Sequence, residues 1–159
     1  MLRLLGRKAR SLQRQPLFSQ AWLLPLWCVL GMARTLIFTV SLRRLAPHLG
    51  RACGVAPWVP LLDDRQQARA LQIGRAVRLA ARYTPWQSNC LAQAVAARLL
   101  LGCYGIPYAL FFGLMRDPAS PVVKAHAWVA AGRVPVTGGA SFGHFAVVGV
   151  FVAPRLVPA

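Results

Sequence analysis

Apolar and polar positions recur along this chain with two different periods, and the change between them divides the sequence. From Met1 to Gln15, Leu2, Leu4, Leu5 and Leu12 interleave with Arg3, Arg7, Lys8, Arg10 and Arg14, the pattern of a basic amphipathic helix. Residues 21–42 form the most apolar run, interrupted by Pro25 and Arg34. A spanning helix needs about 20 mostly apolar residues, which this run supplies. Arg34, however, would lie near the bilayer centre at a cost of roughly 2.5–3.5 kcal/mol. The competing reading is two helices, broken around Pro25, whose apolar sides pack on the domain behind them while Arg34, Arg43 and Arg44 reach solvent. Between Ala46 and Asp64, Pro47, Gly50, Gly54, Pro57 and Pro60 read as a connection. A boundary is therefore expected between a helical N-terminal region, residues 1–60, and a core domain, residues 61–159.

Asp63 or Asp64 is placed to cap a helix running to about Arg82, with Leu71, Gly74, Val77 and Ala81 recurring at three- and four-residue steps. Arginines occupy most of its other sides, as on a solvated helix. Ser88 or Asn89 is placed to cap a second helix, Leu91 to Cys103, which Gly105 terminates. The period then shortens. Tyr108–Met115, Val122–Ala131, Arg133–Thr137 and Phe145–Val152 read as antiparallel strands, with turns at Asp117–Ser120, around Gly132 and at Gly138–Gly139. Helices followed by a sheet make the fold class α+β.

Composition narrows the chemistry. Against 19 Lys and Arg stand only Asp63, Asp64 and Asp117, with no Glu, for a net charge of +16 over 159 residues. Paired-carboxylate glycoside hydrolysis, carboxylate-rich calcium sites and two-metal phosphoryl transfer need several acids brought close together, and only Asp63 and Asp64 are neighbours in sequence. A hydrophobic content of 57 % rules out intrinsic disorder. The charge raises nucleic acid, acidic lipid or an acidic protein as partner. With no zinc finger, RNP-like aromatic pair or recognition helix, nucleic acid is not expected. Cys28, Cys53, Cys90 and Cys103 form neither a CxxC nor a Cys/His cluster. Free thiols in a cytoplasmic setting are expected, and no metal site.

One pair of residues carries candidate catalysis. Thiol chemistry needs a nucleophile that ionises readily and a base in hydrogen-bond reach, itself held in the useful tautomer. Cys90 falls in the first turn of its helix, where unpaired backbone N–H groups and the positive end of the dipole favour a thiolate. His126 lies inside a strand, flanked by Ala125 and Ala127, which leave room for a helix end to approach. Taken singly, an inert cysteine and a satisfied strand histidine are the ordinary readings of such residues.

Five segments in order change those odds: Pro85-Trp86-Gln87-Ser88-Asn89-Cys90-Leu91, Tyr104-Gly105-Ile106-Pro107, Phe112-Gly113-Leu114, Ala125-His126-Ala127-Trp128-Val129 and Val136-Thr137-Gly138-Gly139. Together they resemble the lasso peptide biosynthesis B proteins, transglutaminase-like cysteine peptidases that remove the leader from a ribosomally made lasso precursor. The resemblance implies a transglutaminase- or papain-like core in which the cysteine helix packs on an antiparallel sheet. It also implies Cys90 as nucleophile, His126 as base and then acid, and an acyl-enzyme intermediate.

The resemblance further implies partners: the precursor, a leader-recognition protein, and an asparagine-synthetase-like cyclase that consumes ATP. No phosphate loop occurs in this chain, so the ATP chemistry belongs to that cyclase. At this length the leader-recognition domain is expected as a separate protein. The family's usual third residue, an aspartate about a dozen residues beyond the histidine, is replaced by Thr137-Gly138-Gly139. Either the Thr137 hydroxyl or a backbone carbonyl is left to orient His126. For the oxyanion, the Cys90 N–H is the default donor and Gln87 the nearby amide. Trp86 and Trp128 either wall the cleft or pack in the core. Two other readings stay open: a thiol acyltransferase or transglutaminase with the same dyad, and a non-catalytic basic protein with a peripheral membrane contact.

Overall fold

Helix α1 (Leu17–Thr39) runs unbroken through Pro25, so the expected break there does not occur. A proline inside a helix costs about 3 kcal/mol. Burying Leu26 and Leu30 completely recovers roughly 1.5–3 kcal/mol each, which is enough to carry the helix across. The computed structural model describes residues 15–56, 58–116, 122–139, 141 and 143–154. Most of the expected basic N-terminal helix and the turn containing Asp117 fall outside these residues.

The stretch expected as a plain connection, from Ala46 to Asp64, opens inside a short helix α2 (Leu42–Leu49) and holds β1 (Arg51–Ala52). Pro47 lies inside α2, and only Leu49 of that helix is buried. Helix α3 (Asp64–Tyr83) starts at a reciprocal capping box: Gln66 N–H donates to the Asp63 carboxylate at 2.7 Å, and Asp63 N–H to the Gln66 side chain at 3.2 Å. Its buried side is Ala70, Ile73, Gly74, Ala76, Val77 and Ala80. Leu71, expected inward, is 44 % exposed. Small residues win the inner face because α3 lies tight on the sheet: a Cβ on Gly74 would stand 2.7 Å from the Val136 carbonyl oxygen. Arg78 donates to that same oxygen at 2.9 Å.

Helix α4 (Cys90–Cys103) likewise buries Ala92, Ala94, Ala96 and Ala97 with Leu100 and Leu101. Strands β2 (Ala109–Arg116), β3 (Val123–Ala131), β4 (Val134–Thr137) and β5 (Ala146–Val152) join β1 in one sheet of order β1-β5-β2-β3-β4. Each neighbouring pair is antiparallel. The three long helices lie on one face. Leu26, Leu30 and Ala33 of α1 share a single buried cluster with α3, α4, Leu110, Ala127, Val129 and Val136, so residues on both sides of position 60 contribute to one core. A smaller cluster, Ala109, Phe111, Trp128, Val150 and Val152, fills the other face. Tyr108 ties the layers: Arg98 donates to its hydroxyl, which donates to the Leu49 carbonyl, each at 3.0 Å. Burial raises the pKa of this phenol, and Arg98 pulls against the shift.

Candidate active site

Helix α4 begins at Cys90 because Asn89 caps it. The Asn89 side chain accepts the Ala92 N–H at 2.9 Å, and its carbonyl accepts from Gln93 N–H at 3.1 Å. The Gln93 amide reaches back to the Ser88 carbonyl at 2.9 Å. Ahead of the helix, the Thr84 hydroxyl lies 2.8 Å from the carbonyls of both Ala81 and Trp86. A hydroxyl has one proton to give and carbonyls only accept, so Ser88, 3.0 Å away, is the donor to Thr84. From α1, the Arg34 guanidinium donates to the Gln87 carbonyl and lies 5.1 Å from the Phe38 ring centre. The loop leading to the cysteine is thus held from its own turn, from α4 and from α1. Among the described residues nothing accepts the Cys90 N–H, which stays a donor at the positive end of the helix.

The half-buried Cys90 borders a cleft of about 460 Å³, walled by apolar side chains including Leu42, Leu91, Phe112 and Phe151. His126 borders the same cleft. A second cavity of similar volume, beside Arg98 and Cys103, lies at the other end of α4 and contains neither residue.

His126 pairs with Gly113 across the β2–β3 ladder. Its ring stacks on Phe145 and Trp128, with centroids 5.0 and 5.9 Å apart. Gly113 is needed there, since a Cβ would strike the Trp128 ring and Phe145 at 2.7–2.8 Å. The His126 Nε2 lies 3.3 Å from the Gly138 carbonyl oxygen. Because a carbonyl only accepts, a hydrogen bond at this contact requires a proton on Nε2, and in a neutral ring so bonded Nδ1 carries the lone pair. The Ser141 hydroxyl donates to the same carbonyl. Backbone thus faces the imidazole at the place where the sequence lacks an acid.

Several expected placements need correcting. The Thr137 side chain is buried and its hydroxyl makes no hydrogen bond, so Gly138, not Thr137, faces His126. Gln87 is exposed, and its contribution is the carbonyl held by Arg34. Trp86 packs on Trp27 at 6.3 Å in the helical layer, and Trp128 is buried against Phe111 at 5.5 Å. Neither tryptophan lines the cleft. Arg34, expected to reach solvent, instead braces the loop ahead of Cys90. No hydrogen bond joins the Cys90 thiol to the His126 ring. Gly138, Ser141 and Arg34 escaped the sequence reading as site residues. The paired glycines at 138–139 and the single charge in an apolar helix were the signals available for them.

A helix-start cysteine and a strand histidine whose Nε2 faces a backbone carbonyl, sharing one cleft, are a recurrent thiol-enzyme arrangement. A family model for the transglutaminase-like superfamily matches residues 32–150. The chain belongs to the transglutaminase-like superfamily. Curated proteins and solved structures yield no match to it. The matched span of this transglutaminase-like chain runs from the second half of α1 into β5 and includes Arg34, Cys90, His126 and Gly138. Members of the superfamily are generally cysteine proteases and acyltransferases.

Arg34 contacts the loop ahead of Cys90 and not Cys90 itself, so if this transglutaminase-like chain reacts through the thiol, Arg34 is expected to act by positioning. Replacing it with Met keeps the aliphatic stem but frees the Gln87 carbonyl. Its contact is partly solvent-exposed, so the expected loss of stability is about 1 kcal/mol or less. Turnover should fall by roughly 3- to 10-fold with KM nearly constant, because a loosened loop misplaces the thiol. Arg34→Lys should restore part of it. Steady-state kinetics of the three proteins test this, and unchanged kcat in Arg34→Met would remove the positioning role.

Proposed function

We propose that this chain is a cysteine peptidase that cleaves the leader from a ribosomally made lasso peptide precursor, acting in the cytoplasm. The observation that supports it most is one cleft bordered by both Cys90 at the start of α4 and His126, whose Nε2 is turned to the Gly138 carbonyl. In this reading Nδ1 of His126 takes the Cys90 proton once the two groups close to hydrogen-bond distance, about 3.5 Å or less, in the substrate complex. The thiolate adds to the carbonyl carbon at the leader–core junction. The resulting oxyanion sits by the Cys90 N–H. The imidazolium then passes its proton to the departing amine, the C–N bond breaks and the core peptide leaves with a free amino terminus. Water, deprotonated by the same imidazole, hydrolyses the thioester and releases the leader as a carboxylate.

The order of the five motifs supports the lasso assignment within the superfamily, and with it three partners: the precursor, a separate leader-binding protein and the ATP-consuming cyclase. The test incubates the protein with a lasso precursor and its leader-binding protein and reads products by mass spectrometry, with and without hydroxylamine. Cleavage at one junction, with hydroxylamine intercepting the acyl-enzyme, is expected. Transfer to an amine without hydrolysis would move the chain to the acyltransferases of its superfamily, and no reaction would remove the assignment.

The cleft also makes a specificity prediction. Gly149 lines it, and a Cβ there would lie 4.0 Å from Phe112 Cβ, an ordinary contact. Gly149→Leu should therefore fold while filling the space beside Cys90. Junction peptides with a bulky apolar residue at the cleaved carbonyl should lose roughly 10-fold or more in kcat/KM, and those with a small residue about 2-fold. Equal losses for both peptides would mean that the cleft does not seat that side chain.

A further inference from the structure

Helix α1 is apolar on two opposite sides, and only one is covered. Ser19, Leu26, Leu30 and Ala33 face the core. Roughly half a turn away, Leu17, Ala21, Leu24, Cys28 and Met32 follow one another at three- and four-residue steps on the outside, with Leu17 82 %, Leu24 72 % and Met32 59 % exposed. The only charge in α1 is Arg34, already engaged with Gln87. A solvent-facing helix side is ordinarily polar, and a contiguous apolar stripe of this length marks a contact surface.

Charge selects the occupant. Arg43 and Arg44 are exposed just beyond the end of α1, and His48 and Arg51 follow, also exposed. On the other side, Arg3, Arg7, Lys8, Arg10 and Arg14 precede the helix in sequence, and the first acid of the chain is Asp63. A second copy of this chain would bring another +16 against these arginines. Anionic lipid headgroups would neutralise them while the acyl boundary takes the stripe. The helix is long and apolar enough to cross a bilayer, yet Leu26 and Leu30 are locked in the protein core, which keeps α1 lying along the surface.

We propose that the outer face of α1 docks this protein on an anionic membrane surface, with Arg43 and Arg44 on the headgroups. Docking also fixes where the cleft sits, since Leu42 both opens α2 and lines the cleft.

The test uses the full chain and co-sedimentation with vesicles of phosphatidylcholine alone or with about 30 mol % phosphatidylglycerol. Wild type should bind the anionic vesicles at least roughly 10-fold better than the neutral ones, and high salt should weaken that binding. The triple variant Leu17→Gln/Leu24→Gln/Met32→Gln should lose roughly 10-fold or more of it, with circular dichroism unchanged because all three side chains are exposed. Arg43→Gln/Arg44→Gln should lose binding to anionic vesicles only. Undiminished binding by the triple variant overturns the proposal, since lipid would then be held elsewhere. So does the absence of vesicle binding by a wild type whose dimerisation, read by sedimentation velocity, is abolished in the triple variant; the stripe would then be a contact between copies.

Discussion

Cys90→Ala should abolish turnover, by at least about 10⁴-fold, while the protein unfolds within about 1 kcal/mol of wild type. The first figure follows from the proposed mechanism, in which the Cys90 sulfur forms the covalent intermediate. The second follows from the environment: Cys90 is half-buried and its thiol makes no hydrogen bond, so its removal deletes one partly exposed atom. His126→Ala should cost roughly 10²- to 10⁴-fold, the contribution general acid–base catalysis ordinarily makes. The double variant should be no slower than Cys90→Ala alone, because a nucleophile and its base act as one unit. The other cysteines provide the control: Cys28, Cys53 and Cys103 are absent from the cleft, so replacing all three with Ala should leave turnover within about twofold. Single-turnover assays with mass-spectrometric detection of the thioester decide the matter. Turnover surviving in Cys90→Ala would end the thiol mechanism.

What could be read in advance, and what could not, divides along physical lines. Both major caps are side-chain acceptors placed just before apolar periodicity, and Asp63 and Asn89, each one of two caps the sequence allows, start α3 and α4. The four long strands begin within one residue of their expected positions, because period-two alternation is a local signal. Tertiary effects were illegible. Pro25 is tolerated because of leucines buried beside it, and Leu71 is turned outward because Gly74 must meet the Val136 carbonyl. At the site, the positions of Cys90 and His126 could be read from their elements. The group facing His126 could be narrowed only to the Thr137 hydroxyl or some backbone carbonyl, because a carbonyl leaves no residue type in the sequence, only the glycine that lets the chain turn.

Gly138→Ala should therefore damage both stability and catalysis, whereas Gly139→Ala, one residue on, should cost only backbone strain. Both glycines have positive φ, +82° and +65°. An L side chain there costs roughly 1–2 kcal/mol. At Gly139 nothing lies within 4 Å of an added Cβ, so that strain is the whole expectation. At Gly138 the added Cβ would stand 2.3 Å from Trp128 Cβ and 3.1 Å from His126 Nε2. Trp128 is fully buried and stacked on Phe111, so the loop must yield rather than the indole. Overpacking of this kind adds about 1–3 kcal/mol. The total, about 2–5 kcal/mol, corresponds to a Tm lower by roughly 5–15 °C in a domain of this size. Moving the loop also moves the Gly138 carbonyl, and with it the contact that keeps the proton on Nε2. Without it the ring samples the other tautomer, whose Nδ1 carries a proton and cannot accept one from Cys90. Turnover in Gly138→Ala should fall roughly 10- to 100-fold beyond any loss of folded protein, less than a lost triad aspartate costs because a neutral carbonyl stabilises the imidazolium less. Kinetics well below the Tm of each variant, together with ¹⁵N shifts of the His126 ring, separate the two effects. If Gly138→Ala and Gly139→Ala lose the same activity, or if the His126 tautomer is identical in both, the carbonyl does not orient the base.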